Sequence, residues 1–136
     1  MVFTIRKNAT LPILKMKIWR DGKNDFHKLV ELLESTAITF SMKEEKTGIY
    51  KVVNKAGSLY LQEPCDVNGK KEYYIGYQFT NEDTDTPGVY MGQFKLTMLD
   101  ASNGIDLYGD LIVPIQEELY IHVTDSFIKS ENLYLP

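Results

Sequence analysis

Apolar and polar residues alternate through most of the chain with a period of two, which is the pattern of half-buried β-strands. In the run 37–43, for example, Ile38, Phe40 and Met42 occupy every second position and share one face. Gly, Pro, Asn and Asp separate such runs at intervals of roughly ten residues. The predicted strands are 12–19, 37–43, 49–53, 58–62, 72–79, 89–99, 110–114 and 118–123. We therefore predict an all-β fold, an antiparallel sandwich or barrel.

One segment departs from the strand pattern, because its apolar residues recur at helical spacing. These residues are Phe26, Leu29, Val30 and Leu33. Either Asn24 or Asp25 could cap a helix that begins after them, so we predict one short helix at 26–34. The Asn-Gly pairs at 68–69 and 103–104 are typical of tight turns and predict a β-hairpin at each place.

The 136 residues are enough for one domain with a sizeable core, and 43% of them are hydrophobic. The strand pattern ends near residue 123, so we predict a sandwich over 1–123 followed by a C-terminal tail over 124–136. Large apolar side chains persist in that tail, namely Phe127, Ile128, Leu133 and Tyr134. Because exposing them to water is unfavourable, the tail should dock. Docking on its own sandwich and docking on a neighbouring molecule both remain open.

The most informative run extends from Asp83 to Tyr90 and reads DTDTPGVY. Pro87 fixes one backbone angle, Gly88 accepts a positive φ, and the Asp83 and Asp85 side chains can bond the local backbone. These residue types predict a tight corner, after which a strand begins. Tyr90 then occupies the position at which sandwich folds place a tyrosine whose hydroxyl returns to the corner backbone. The corner should carry the chain from one sheet to the other.

The chain resembles the immunoglobulin-like modules of tailed-bacteriophage virions, such as the N-terminal domain of upper baseplate proteins and small tail or neck accessory proteins. The resemblance rests on FTIRKN at 3–8, Leu11-Pro12, Asp21-Gly22, ITFSM at 38–42, the DTDTPGVY corner and LYIHV at 119–123. It implies an immunoglobulin-like antiparallel β-sandwich and a structural or adaptor role without catalysis. It also implies several symmetric copies, docked to other virion proteins in the tail, neck or baseplate. Capsid decoration and a head fibre are alternative positions.

Charge and composition exclude several other partners. The net charge is −4 and neither sign forms a block, which disfavours nucleic-acid binding. No stretch approaches the ~20 apolar residues of a membrane span. Cys65 is the single cysteine, so we expect no internal disulfide and a reducing compartment. With the phage resemblance, the expected location is the virion, and the host cytoplasm during assembly.

The residues that could carry chemistry do not form a recognisable catalytic or metal motif. Asn81, Asp83 and Asp85 have the spacing of a calcium loop, but Thr86 replaces its glycine and no Glu closes it. His27 and His122 are far apart in sequence, and neither has a ligand at metal-binding spacing. Nothing near Cys65 would activate a thiol. We therefore expect no enzyme activity, no metal and no cofactor.

Nine tyrosines are more than a small core needs, so some should lie on the surface. The candidate interface residues are Trp19, Tyr73, Tyr74, Tyr77, Phe127, Ile128, Leu133 and Tyr134. Exposed aromatic rings suit a protein interface or a glycan on the host surface. The protein interface is favoured because the sequence reveals no convergent amides and acids of the kind that bind sugars. A third explanation is that tyrosine simply fills strand positions.

Overall fold

A computed structural model describes residues 1–17, 36–62, 72–100, 105–114 and 117–125. Within these ranges the chain forms nine strands and no helix. They are β1 (Val2–Arg6), β2 (Leu14–Lys17), β3 (Ala37–Glu44), β4 (Tyr50–Ala56), β5 (Ser58–Gln62), β6 (Glu72–Tyr77), β7 (Gly88–Asp100), β8 (Ile105–Val113) and β9 (Leu119–Thr124). The predicted all-β class is confirmed for this part of the chain. The predicted helix at 26–34 and the tail beyond residue 125 lie outside it.

The strands form two sheets, an arrangement consistent with a β-sandwich. The larger sheet has the order β1-β9-β7-β3-β4, and β8 also pairs with β7. All of its pairs are antiparallel except β1 with β9. The smaller sheet has the order β2-β6-β5 and is antiparallel. The N-terminal residues Val2 to Ile5 are therefore docked within the fold, as a parallel strand beside β9.

Alternation along the strands determines which residues enter the core. On β3, Ile38, Phe40 and Met42 are buried, as the sequence pattern predicted. The Phe40 ring lies at the centre of an aromatic cluster, with its centroid 4.8 Å from Tyr77 and 4.9 Å from Phe94. Phe79 contacts Phe40 edge-on at 5.7 Å. Because rings at such distances pack favourably, the cluster joins the two sheets.

The chain changes sheet between β4 and β5 through a single residue, Gly57. A Cβ built on Gly57 would lie 2.8 Å from the Gly76 carbonyl oxygen and 2.8 Å from Ile38 Cγ2. The Gly57 amide also donates a 2.9 Å hydrogen bond to the Ile38 carbonyl. Residues 50–62 thus run along one side of both sheets, with a glycine where the backbones approach too closely for a side chain.

Two strands share one edge of β7. Residues Gly88 to Gly92 of β7 pair with β9, whereas Phe94 to Asp100 pair with β8. Since β3 occupies the other edge of β7, strands β8 and β9 lie end to end. Pro114, Glu117 and Glu118 belong to the connection between them, opposite Gln93.

The structure lengthens one predicted strand. Strand β8 begins at Ile105 rather than at residue 110, because it pairs with β7 from Phe94 to Asp100. The Asn-Gly turns at 68–69 and 103–104 lie outside the described residues, but the strands flanking each are antiparallel partners. Across the described ranges, no helix has the length and apolar character needed to cross a membrane.

Candidate functional site: the corner and the outer face of the larger sheet

The segment after β6 carries the chain from the smaller sheet to the larger one, and Tyr90 secures its end. Tyr90 is 2% exposed, and its hydroxyl donates a 2.7 Å hydrogen bond to the Thr86 carbonyl. This is the contact that the sequence predicted for Tyr90. Gly88 lies between Thr86 and Tyr90 and has a φ of 155°, a backbone angle that is unfavourable for any residue with a side chain. Pro87 is exposed at the tip.

Asp83 is a buried carboxylate that organises the corner from inside. It is 5% exposed, and its Oδ2 accepts hydrogen bonds from the Tyr77 hydroxyl at 2.6 Å and the Thr80 amide at 2.9 Å. Burial, together with the hydrogen bond to Asp83, raises the pKa of the Tyr77 phenol above its ordinary value. Tyr77 therefore remains a neutral donor, and the otherwise costly buried carboxylate is satisfied.

The corner also holds the link between β1 and β2. The Asn8 amide donates to the Thr84 carbonyl at 2.9 Å, and the Thr84 hydroxyl donates to the Ala9 carbonyl at 2.9 Å. The Asn81 side-chain amide donates to the Asn8 carbonyl at 2.7 Å. Because Thr84 is fully buried, its hydroxyl bond to Ala9 is partly shielded from water, whereas the bond from Asn81 is exposed. The corner thus joins the two places at which the chain crosses between the sheets, from β1 to β2 and from β6 to β7.

Asp85 makes a different contact from Asp83. Its Oδ1 lies 2.6 Å from the Lys51 ammonium nitrogen and accepts a hydrogen bond from the Thr86 hydroxyl. The bonds from Lys51 and Thr86 lower the pKa of the Asp85 carboxyl, and the bond to Asp85 raises the pKa of Lys51. Asp85 therefore ties the corner to edge strand β4. Among the described residues, no group of three His, Cys, Asp or Glu side chains could hold a metal ion.

The structure corrects one of the predicted interface residues. Tyr77 is 5% exposed and stacks on Phe40, so it belongs to the core and to the Asp83 contact. Tyr73 shares its strand, β6, but its side chain is not among those described. Tyr74 is half-buried on the outer face of the smaller sheet, opposite Lys17 and Tyr60 in register. The other predicted interface residues, Trp19, Phe127, Ile128, Leu133 and Tyr134, lie outside the described ranges.

The outer face of the smaller sheet is occupied by a contact within the chain. A Cβ on Gly76 would lie 2.7 Å from the Tyr60 ring, so the missing side chain makes room for Tyr60. The Lys15 ammonium lies 4.5 Å from the centre of that ring. This cation–π contact covers part of the outer face of the smaller sheet and engages the side chains of both Lys15 and Tyr60.

The outer face of the larger sheet presents a row of large side chains across five strands, which we call the outer row. In strand order it consists of Val2, Tyr120, Met91, Lys43 and Tyr50. Each is the cross-strand partner of the next, so their side chains are neighbours on one face. Val2 and Tyr50, at the two ends, are 59% and 57% exposed, and the three between them are half-buried.

Charges of opposite sign flank the middle of the outer row. The Tyr120 hydroxyl donates a 2.9 Å hydrogen bond to Glu118 Oε2, which holds that carboxylate beside β9. On the other side of Met91, no described residue gives the Lys43 ammonium a hydrogen bond or an ion pair. Beside Met91 the face therefore carries the Glu118 carboxylate on the β9 side and the Lys43 ammonium on the β3 side, while the neighbouring Glu117 pairs with the N-terminal ammonium at 3.5 Å.

A groove of about 410 Å³ borders the outer row at the gap between β8 and β9. Polar groups of Ser41, Gln93 and Glu117 line it together with the Tyr50 ring. Ser41 and Gln93 are cross-strand partners, and Asn54 already bonds the Ser41 hydroxyl. The groove thus combines an amide, a carboxylate and an exposed aromatic ring.

Sequence reasoning placed none of the outer row among the interface candidates. Tyr50 and Tyr120 are two of the nine tyrosines, and alternation assigns each residue of the row to one side of its strand. The missing information was the order of the strands, because β9, β7 and β3 are adjacent in space and far apart in sequence.

Comparison of the chain with protein-family models, curated proteins and solved structures finds no match.

Proposed function

We propose that this chain is a non-enzymatic structural or adaptor protein of a tailed-bacteriophage virion, built on an immunoglobulin-like sandwich. It docks to neighbouring virion proteins in several symmetric copies, in the tail, neck or baseplate, after assembly in the host cytoplasm. Capsid decoration and a head fibre use the same docking chemistry at another position. The observation that carries the proposal is the outer row, which crosses the larger sheet and exposes large side chains at both ends.

The strand order supports the immunoglobulin-like assignment. In such folds one sheet contains strands G, F, C and C′ in that order, and the other contains B, E and D. Here β9-β7-β3-β4 and β2-β6-β5 follow the same orders. Tyr90 lies near the start of the strand in the F position, where these folds have their tyrosine corner.

Gly92 supports an immunoglobulin-like core without the disulfide. It lies two residues after the corner tyrosine, where antibody domains have the second cysteine of their bridge. A Cβ on Gly92 would lie 3.0 Å from the Phe40 ring and 2.6 Å from Ile121 Cδ1. Phe40 and Ile121 therefore fill the space of the missing bridge, which suits a protein that folds in a reducing cytoplasm.

The use of the buried polar groups supports a structural role. Asp83 and Thr84, the two buried polar residues among those described, both bond groups of the corner. An edge strand and a row of large side chains that is exposed at both ends are features that recruit another protein. The proposal therefore places the function on the surface of the larger sheet.

A test is to purify particles from cells in which the encoding phage genome replicates and to identify their proteins by mass spectrometry. We expect the chain as a stoichiometric component. A Met91→Glu variant should fold and be lost from particles, because it introduces a charge in the outer row. The matched control is Thr39→Glu. Thr39 lies on β3, on the same outer face of the larger sheet as Met91, but it pairs with Lys95 and is away from the outer row. Absence of the wild-type chain from particles, or normal incorporation of Met91→Glu, would contradict the proposal.

The groove favours a second candidate function, binding of a glycan on the host surface. Gln93, Glu117 and Tyr50 provide the amide, acid and aromatic ring that the sequence alone did not bring together. A titration of the chain with bacterial surface oligosaccharides, followed by backbone amide NMR shifts, tests this function. Shifts confined to the groove residues, and lost in Gln93→Ala, would support it, whereas unchanged spectra would exclude it.

A further inference from the structure

We propose that the partner on the outer row is a second copy of this chain, packed face to face about a two-fold axis that runs parallel to β7 over Met91. The inference rests on the proposed docking function and names its first partner. Its basis is the pattern of side chains across the face, which is complementary to itself under this rotation.

The rotation exchanges the two sides of β7 and leaves Met91 opposite Met91 of the other copy. Lys43, on the strand beside β7 at one edge, then faces Tyr120, on the strand at the other edge. Val2 and Tyr50, at the ends of the row, face each other. Each of these contacts occurs twice in the dimer, as an isologous interface requires.

Charge complementarity selects this arrangement. The Lys43 ammonium, which no described residue engages, comes opposite the Glu118 carboxylate that the Tyr120 hydroxyl holds in place. The opposite choice, an axis perpendicular to the strands, would place Lys43 against Lys43 and Tyr120 against Tyr120. Like charges at such separations repel, so the axis parallel to β7 is the favoured one.

The size of the face sets the expected affinity. Five strands at ~4.8 Å spacing and an overlap of about six residues at ~3.3 Å each cover a plane of roughly 24 by 20 Å. That plane is roughly 500 Å², which is less than the ~800 Å² per partner of a standard interface even when side-chain relief is added. The dimer should therefore be weak and concentration-dependent, and the many copies in a particle would provide the local concentration that it needs.

The first test measures the mass of the chain in solution by sedimentation equilibrium from about 10 to about 500 μM. We expect a monomer–dimer equilibrium within this range. Lys43→Glu and Glu118→Lys should each raise the dimer Kd at least tenfold, and the double variant should restore it to near the wild-type value. Thermal unfolding of each variant shows that its fold is intact. A wild-type chain that stays monomeric throughout, or a double variant weaker than either single variant, would overturn the inference.

The second test uses the position of Met91 on the axis. In a Cys65→Ser background, Met91→Cys should form a disulfide-linked dimer under mild oxidation, because the two sulfur atoms face each other. The control Thr39→Cys, about 13 Å along the same face, should not. Failure of Met91→Cys to cross-link would contradict the axis. If the chain is monomeric but Lys43→Glu is lost from particles, the partner is a different virion protein: the inference fails and the proposed function stands.

Discussion

Removal of the hydroxyl group from Tyr77, Tyr90 or Tyr120 should lower the free energy of unfolding by three different amounts, because each hydroxyl makes a different hydrogen bond. Each Tyr→Phe change keeps the ring and deletes one hydrogen bond, so the differences report on what the hydroxyl bonds. Tyr77 donates to a buried carboxylate, Tyr90 to the backbone of an exposed turn, and Tyr120 to an exposed carboxylate.

The magnitudes follow from burial and charge. Tyr77→Phe leaves the Asp83 carboxylate buried, with Oδ2 bonded by the Thr80 amide alone among the described residues, which should cost ~1.5–3 kcal/mol. Tyr90→Phe should cost about 1 kcal/mol, because water can replace the hydroxyl at the exposed Thr86 carbonyl. Tyr120→Phe removes a surface contact and should leave stability close to that of wild type.

Urea unfolding at neutral pH, followed by circular dichroism, measures all three variants. At roughly 3–5 °C per kcal/mol for a chain of this length, the melting temperatures should separate in the same order. Tyr120→Phe also controls for the general effect of replacing tyrosine by phenylalanine in a strand. If Tyr77→Phe is no more costly than Tyr120→Phe, the buried Asp83 contact does not stabilise the corner, and the reasoning is refuted.

Three further predictions concern close packing and pH. Gly76→Ala should cost more than Gly92→Ala in urea unfolding, because a Cβ on Gly76 meets the Leu14 backbone oxygen at 2.7 Å. A Cβ on Gly92 meets side-chain atoms, Ile121 Cδ1 at 2.6 Å and the Phe40 ring at 3.0 Å, which can shift; an equal cost would contradict the rigid approach of β2 to β6. The Lys51–Asp85 pair should stabilise the fold between its two titrations, since the pKa of Asp85 is lowered from 3.8 and that of Lys51 raised from 10.5. The free energy of unfolding should then decrease below about pH 4, where Asp85 becomes protonated. Urea unfolding measured at a series of pH values should show a smaller decrease for Asp85→Asn, and the same decrease as in the wild type would show that the pair does not stabilise the fold. The raised pKa of Tyr77 predicts a loss of stability as pH rises above 10, which Tyr77→Phe should reduce and Tyr120→Phe should reduce less.

The corner could be predicted from the sequence because its determinants are local. Pro87, Gly88 and Tyr90 lie within four residues of one another, and the backbone group that Tyr90 bonds is only four residues upstream. Turn chemistry and strand alternation act at this range. The same locality explains why Ile38, Phe40 and Met42 were assigned to the core correctly.

Tyr77 shows where local reasoning ends. Alternation places Tyr73 and Tyr77 on one side of β6 and Tyr74 on the other, but it does not say which side is the core. That choice depends on Phe40, which stacks on Tyr77 from the other sheet, and on Asp83, which accepts its hydroxyl. The sequence favours a surface position for the tyrosines of this strand, whereas the Tyr77 hydroxyl bonds a buried carboxylate.

The outer row could not be predicted for a related reason. Val2 and Tyr120 become neighbours only when β1 pairs with β9 across more than a hundred residues of sequence. The parallel pairing of these strands is itself invisible in the alternation of either. The pattern fixes faces within strands, and the order of strands decides which faces combine into a surface.

The measurement that tests the account most directly is a cryo-electron microscopy map of the assembled particle, at a resolution that traces strands. We predict the chain in repeated copies related by the particle's symmetry, with the outer face of its larger sheet covered by another protein chain at Met91 and Tyr120. A map in which that face borders solvent in every copy, or in which the chain occupies no position, would contradict the account.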